Sequence, residues 1–175
     1  MSLLVVGHDG PVARALHDGA PAGPDAVAET LPEALAIVAL PASAGSIGAL
    51  DTSAFAELAD ATVTMAIAAA TQAAALGTPV RIALLCPADG LHPDHLDGAR
   101  SVVAAGLTML TEVAAALPGI TMNTIAVADD VPAAEVAEVA RLALSGVATS
   151  LNGATIRLDG GRDAVLAAET RAEGA

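Results

Sequence analysis

Leu3-Leu4-Val5-Val6-Gly7-His8-Asp9-Gly10-Pro11 opens the chain with an unbroken apolar run, a glycine-flanked polar loop and a proline. A run without alternation has no polar face, so it predicts a strand buried on both sides, as in a parallel sheet. Pro11 lacks an amide hydrogen and holds a helical φ, which suits the first turn of a helix through Val12, Ala15 and Leu16 to Gly19. This strand, loop and helix unit sets the pattern for the rest.

Working outward, residues 19–33 carry Gly19, Pro21, Gly23, Pro24 and Pro32, too much punctuation for more than a short helical turn within a connector. A second buried strand is expected at Ala36 to Leu40, closed by Pro41-Ala42-Ser43-Ala44-Gly45. Asp51, Thr52 and Ser53 offer N-caps for a long helix through Phe55, Leu58, Thr62, Met65, Ala69 and Leu76 that stops at Gly77. A third strand, Val80 to Leu85, leads into a polar loop from Cys86 to Asp97. A second long helix follows, from about Ala99 to Leu117, before Pro118-Gly119. Thr121 to Val127 reads as a fourth strand, the stretch after Pro132 as a helix ending at Gly146, and Thr155 to Leu158 as a last short strand after the Asn152-Gly153 turn. Strands alternating with helices imply a layered α/β domain on a parallel sheet.

Composition narrows the function. The 175 residues suit one domain, and a net charge of -13 disfavours nucleic acid and anionic membrane surfaces, which need clustered positive charge. All seven basic residues are arginine; lysine, tyrosine and tryptophan are absent, so no mechanism can use them. The single cysteine, Cys86, has no partner for an internal disulfide. The apolar start lacks the charged flank of a signal peptide, so a cytoplasmic location is expected.

Both long helices carry more apolar surface than one sheet face takes. On the second, Val103, Leu107, Leu110, Ala114 and Leu117 form one stripe and Val102, Met109, Val113 and Ala116 another. On the first, Phe55, Leu58, Met65 and Ala69 lie on one side and Val63, Ile67, Ala70 and Ala74 on another. One stripe of each covers the sheet and the other requires a partner. Phe55, Met65, Ala69, Val103, Leu107 and Leu110 are the residues expected at that interface.

Five local signatures occur in a telling order. They are Leu40-Pro41-Ala42-Ser43-Ala44-Gly45; Thr71-Gln72-Ala73-Ala74; Arg81-Ile82-Ala83-Leu84-Leu85 followed by Cys86-Pro87; Ala105-Gly106-Leu107; and Leu151-Asn152-Gly153-Ala154-Thr155-Ile156-Arg157-Leu158-Asp159-Gly160-Gly161. Together they resemble the short-chain dehydrogenase/reductase family over most of the chain: its Asn-Asn-Ala-Gly turn, its strand bearing the catalytic serine, the residues past its Tyr-x-x-x-Lys, and its closing Asp-Gly-Gly. The resemblance implies a Rossmann-like three-layer fold, here without the family's second and third strands and without its substrate lid. It divides the domain, 1–175, into a degenerate nucleotide-loop unit (1–18), a connector (19–33), a dehydrogenase-like core (34–161) and a tail (162–175).

The same resemblance implies lost chemistry. The family's Tyr and Lys positions fall on Arg100 and Ala104, its Ser on Cys86 or Pro87, and its active-site Asn near Val63. An arginine stays protonated and cannot replace the tyrosine as acid or base. The family's glycine pattern lands on Val6 to Ala13 and retains Gly7, with Gly10 displaced, Pro11 lacking an N–H, Ala13 adding a side chain and Asp9 adding negative charge. Asp25 and Glu29 are poor substitutes for the residue that selects the adenosine ribose. No cofactor is therefore expected in this chain, and NAD(P) is expected in a partner: an active short-chain dehydrogenase/reductase subunit, in a heteromer that this chain completes as a non-catalytic member.

Two other readings stand beside this one. The first is a stand-alone homo-oligomeric binding or scaffold protein. The second is an enzyme of altered chemistry using Cys86, His92, Asp94 or His95. His92, Asp94, His95 and Asp97 are donor types that bind metals, but their spacing matches no metal signature, so a solvated loop is expected there, with Cys86 a buried thiol and His8 and His17 on the surface.

Overall fold

The computed structural model describes residues 2–17, 21–22, 26, 32–40, 52–88, 91, 98–147 and 150–161. Five strands form one parallel sheet in chain order: β1 (Leu3–Gly7), β2 (Ala34–Val38), β3 (Val80–Pro87), β4 (Ile120–Val127) and β5 (Thr155–Leu158). β2 is buried along its whole length, and β3 and β4 at all but one position each; β2 and the Ile82–Cys86 stretch of β3 accordingly read as unbroken apolar runs, while β4 buries Asn123 and Thr124 among its apolar residues. The architecture is a three-layer, Rossmann-like α/β fold.

The helices are α1 (Pro11–Leu16), α2 (Thr52–Ala59), α3 (Met65–Leu76), α4 (Gly98–Ala114) and α5 (Ala133–Leu144). One face of the sheet is covered by α1 and α5, whose Ala13, Leu16, Val136, Ala140 and Leu144 pack on Val5, Ala36, Val38, Leu85 and Ile125. The opposite face meets α3 and α4 through Met65, Ala66, Ala69, Val103, Ala104 and Leu107. Alanine at the contact positions lets helix backbones sit close to the sheet. Since α5 lies on the face opposite α3 and α4 while the sheet keeps growing in one direction, the β4–α5–β5 connection has the opposite hand from the β2–β3 and β3–β4 connections.

The connector does more than link. Ala22 forms a parallel bridge with Val6 on the outer edge of β1, its N–H donating to the Val5 carbonyl at 2.8 Å. The chain therefore steps outward past β1 before returning to β2 on the inner side. This accounts for α1 lying on the face opposite α3. At the other end, β4 reaches α5 through residues 128–132 alone, a turn with Val131 N–H donating to the Ala128 carbonyl.

Several boundaries differ from the sequence reading. The second strand begins at Ala34 because Ala34 and Leu35 already pair with both Leu3–Leu4 and Arg81–Ile82. The third strand runs on through Cys86 and Pro87, paired with Ala126 and Val127, so Cys86 belongs to the sheet and not to a loop. The first helix ends at Leu16, where His17 turns extended. The long helix after Thr52 is interrupted by a π-helical segment, Asp60–Thr64, an extra residue that leaves no compositional trace. The 41–51 segment with its turn and Asp51, residues 162–175, and Asp25 and Glu29 lie outside the described residues.

Buried amides hold the last strand. Asn123, fully buried on β4, donates from Nδ2 to the Leu151 carbonyl at 3.0 Å and accepts the Ala154 N–H at 3.1 Å. Asn152 answers from the other side, accepting the Met122 N–H and donating to the Ala115 carbonyl. Beside them Thr111 and Thr124 share a hydroxyl hydrogen bond of 2.7 Å between α4 and β4. These side chains satisfy backbone groups that the short strand β5 cannot reach.

Gly7 supplies a strict test of this packing. Its φ is +102°, and a Cβ there would lie 2.4 Å from the Val38 carbonyl oxygen. Gly7→Ala is expected to destabilise the protein by about 2–4 kcal/mol, since strain and a backbone clash add. At Gly10, whose φ is -170° and whose Cβ direction is open, alanine should have little effect. Urea titrations of the two variants measure the contrast.

Candidate functional site

In parallel α/β sheets ligands bind outside the carboxyl ends of the strands, and here the carboxyl ends of all five strands lie on one edge. The first is Gly7 to Gly10. The positive φ of Gly7 turns the chain off β1, and the His8 N–H donates to the Val38 carbonyl at 2.8 Å. Similar bonds run from Ala39 to Leu85, Ala88 to Val127 and Ala128 to Leu158, so the first amide beyond each of β1 to β4 is already engaged by a neighbouring strand.

Asp9 and Arg14 form a two-pronged ion pair across this loop, Nε to Oδ1 at 3.0 Å and Nη2 to Oδ2 at 2.9 Å. The Arg14 hydrogen bond lowers the Asp9 pKa from its ordinary value, and Asp9 raises that of Arg14. The negative charge read from the sequence is present but locally balanced. Ala13 has a different role from the one the sequence suggested: its side chain is fully buried against the α5 side of the core, not beside a ligand.

A dinucleotide implied by the fold family does not fit these residues well. Pro11 offers no N–H at the head of a helix only six residues long, and Arg14 on that helix is paired with Asp9. Among the described residues the connector contributes to the sheet only the Ala22 bridge, with no strand end to carry a ribose-binding acid.

The second element of the edge is the start of α4. Arg100 projects from its first turn, and its Nη2 donates to the Asp129 carboxylate, just after β4, at 2.9 Å. The two ends are unlike: the arginine side chain is 8% exposed and the aspartate 79%. A buried guanidinium at a helix N-terminus opposes the helix dipole, so a carboxylate partner is what makes it tolerable there. One turn later Ala104 is fully buried under the sheet-facing side of α4. Val63 sits in the π-helical segment, with its Cγ2 3.6 Å from where a Cβ on Gly106 would stand.

The remaining candidates separate cleanly. Cys86 is fully buried within β3, as expected for a packed thiol, while His8 and His17 are exposed. His92, Asp94, His95 and Asp97 lie outside the described residues; among those described, no group of three or more potential metal ligands occurs. Asp159 closes the edge by accepting the Gly161 N–H at 2.8 Å, with Gly160 and Gly161 both at positive φ. That turn is the physical content of the closing Asp-Gly-Gly. A cavity of 590 Å³ opens at the opposite, amino edge of the sheet, lined by Glu33, Thr78, Arg81, Gly119 and Thr121, remote from all of these groups.

The interface residues expected from the sequence need correction. Met65, Ala69, Val103 and Leu107 are buried in this chain's own core, and Phe55 and Leu110 pack partly against it. They form the sheet-facing stripe. Among the described residues, the large apolar side chains left outside on these two helices are Ile67 (49% exposed) and Leu76 on α3 and Val102 (51%), Met109 (63%) and Val113 (61%) on α4; Leu117, Leu142 on α5 and Val147 are exposed as well. Periodicity located two stripes but did not say which one faced the sheet.

With this geometry in place, comparison with known proteins gives a consistent picture. No protein-family model matches the chain, and no curated protein does. Among solved structures it is similar to an oxidoreductase of the short-chain dehydrogenase/reductase family from Burkholderia thailandensis, at 16% identity and a TM-score of 0.75, over 97% of this chain and 96% of that one. The chain has the short-chain dehydrogenase fold. It is similar also to a short-chain dehydrogenase/reductase, described as a glucose/ribitol dehydrogenase, from Brucella melitensis, at 13% identity and 0.72 over 91% and 95% of the two chains. A third is 4-hydroxyisoleucine dehydrogenase complexed with NADH and succinate, at 17% identity and 0.64 over 79% and 73%. No helix among the described residues is long and apolar enough to cross a membrane.

The Asp9–Arg14 pair yields a pH test. Asp9 titrates below the ordinary aspartate range, so the pairing is intact above that range and is lost as pH falls through the lowered pKa. Arg14→Ala is expected to move the Asp9 titration up toward the ordinary value. Carboxyl-detected NMR titration of the two proteins measures the difference.

Proposed function

We propose that this chain is a non-catalytic subunit that pairs with an active short-chain dehydrogenase/reductase, and that the heteromer carries out NAD(P)-dependent carbonyl/hydroxyl oxidoreduction. The observation that carries this reading is the exposed apolar stripe Val102, Met109 and Val113 on α4, beside Ile67 on α3. A soluble chain with no other use for these residues would be expected to present polar side chains there.

The carboxyl edge supports the other half of the proposal. Where the family resemblance puts a tyrosine, Arg100 is held by Asp129; where it puts a lysine, Ala104 is packed in the core. Neither can move a proton at a substrate oxygen, and the chain has no tyrosine or lysine to take their place. Cys86 lies too deep in β3 to act as a surface nucleophile. On this reading the cofactor sits in the partner, and this chain contributes a rigid sheet and a helix face.

Coexpression with dehydrogenases encoded beside it is expected to give a stable complex with NAD(P)-dependent activity, and Met109→Glu with Val113→Glu should abolish co-purification. A chain that ignores every such dehydrogenase would refute the pairing. The lone protein should show no thermal shift and no nicotinamide fluorescence change with NADH or NADPH; micromolar binding would refute the absence of a cofactor site.

A further inference from the structure

The Asn152-Gly153 turn before β5 is the chain's sole Asn-Gly pair, and the fold requires both residues. Gly153 has φ +75°, and a Cβ there would lie 2.9 Å from the Ala115 side chain. Asn152 is needed for both ends of its amide: Oδ1 accepts the Met122 N–H at 3.0 Å, and Nδ2 donates to the Ala115 carbonyl at 3.1 Å. An aspartate could accept but not donate.

Asn-Gly is also the dipeptide most prone to react with itself, because glycine puts no side chain in the way of its own nitrogen. The Gly153 nitrogen attacks Asn152 Cγ; the N–Cγ bond forms, the Cγ–Nδ2 bond breaks, and Nδ2 leaves with the displaced amide proton as ammonia. Solvent water then opens the cyclic imide at either carbonyl and leaves aspartate or isoaspartate. No oxidant or other reagent is consumed, and Asn152 is exposed to water.

In the folded protein both reacting groups are engaged. The Gly153 N–H donates to the Met122 carbonyl at 2.9 Å, which occupies the nucleophile, while the Met122 N–H and the Ala115 carbonyl hold the side-chain amide. Buried Asn123 pins the flanks through the Leu151 carbonyl and the Ala154 N–H, and the Ala154 carbonyl accepts the Thr124 N–H at 2.9 Å. We propose that Asn152-Gly153 is a latched modification site, inert while β5 is docked and converted to aspartate or isoaspartate when β5 opens. Conversion keeps the strand from re-docking. Aspartate sets a carboxylate oxygen against the Ala115 carbonyl in place of the Nδ2 donor, and isoaspartate adds a backbone methylene that shifts Gly153 and Ala154 out of register with β4. The Asp159 to Gly161 turn at the carboxyl edge follows β5 directly and is released with it.

Trypsin releases the peptide Leu142 to Arg157, whose only amide side chain is that of Asn152, so mass spectrometry reads this site alone. The full chain is incubated at mildly alkaline pH, folded and in urea. Deamidation is expected to be about a hundredfold slower in the folded protein, because the reaction waits on the fraction of molecules in which β5 is open. Asn123→Ala loosens the flanks, leaves the reacting pair unchanged and should bring the folded rate toward the unfolded one. If that variant does not fold, wild type in urea below its unfolding transition supplies graded opening, and the rate should rise in step with hydrogen exchange of the Thr155 to Leu158 amides. Asn152→Asp should itself speed that exchange. Equal rates in the folded and unfolded chains would refute the latch, and an unfolded chain that keeps Asn152 intact would refute the site. Wild-type exchange at β5 in Asn152→Asp would refute the failure to re-dock.

Discussion

A parallel sheet must be covered on both faces, and this sheet is covered by helices whose contact residues are mostly alanine. Small contacts allow close approach, and close approach fixes the rest. Ala66, Ala69 and Ala73 bring α3 onto the sheet, and Ala137 and Ala140 do the same for α5. Because the contact surface is narrow, the larger apolar residues of α4 divide between two directions. Val103 and Leu107 go inward, and Val102, Met109 and Val113 go outward. An unsatisfied outer stripe is thus a product of how the sheet is covered, and it is the feature from which the functional reading grows.

Much of the architecture was legible in the sequence because buried strands of a parallel sheet have few alternatives. Leu3 to Val6 and Ile82 to Leu85 are apolar at every position, and no amphipathic helix or half-exposed strand is written that way. The boundaries were less legible. Ala34 and Leu35 belong to β2 because two neighbouring strands pair with them, and pairing is a long-range fact that local composition does not carry. Cys86 and Pro87 resemble the opening of a loop, but Ala126 and Val127 hold them in register as strand.

The site was legible in its residue types and not in its arrangement. The family resemblance singled out Arg100 by its position, and nothing local linked it to Asp129, 29 positions away. Asn152 was visible as a turn residue; its grip on Met122 and Ala115, and the matching grip of Asn123, needed the two segments side by side. The choice of stripe failed because two apolar stripes on one helix read alike, and only packing against the sheet puts Val103 and Leu107 inside and Val102, Met109 and Val113 outside.

The Arg100–Asp129 pair ties the start of α4 to the turn after β4. The start of α4 lies at the carboxyl edge, where a proton-transfer group would face substrate, and a helix N-terminus there favours negative charge. Arginine adds positive charge to that position and so depends on a carboxylate brought from the β4 turn. That turn is short, because residues 128–132 lead straight into α5, and its shortness is what holds Asp129 near the first turn of α4. A long segment inserted after β4 would carry Asp129 into a mobile region and weaken the pair. The short connection and the buried arginine are therefore mutually dependent, and together they use the polar contacts of this edge to hold the fold closed.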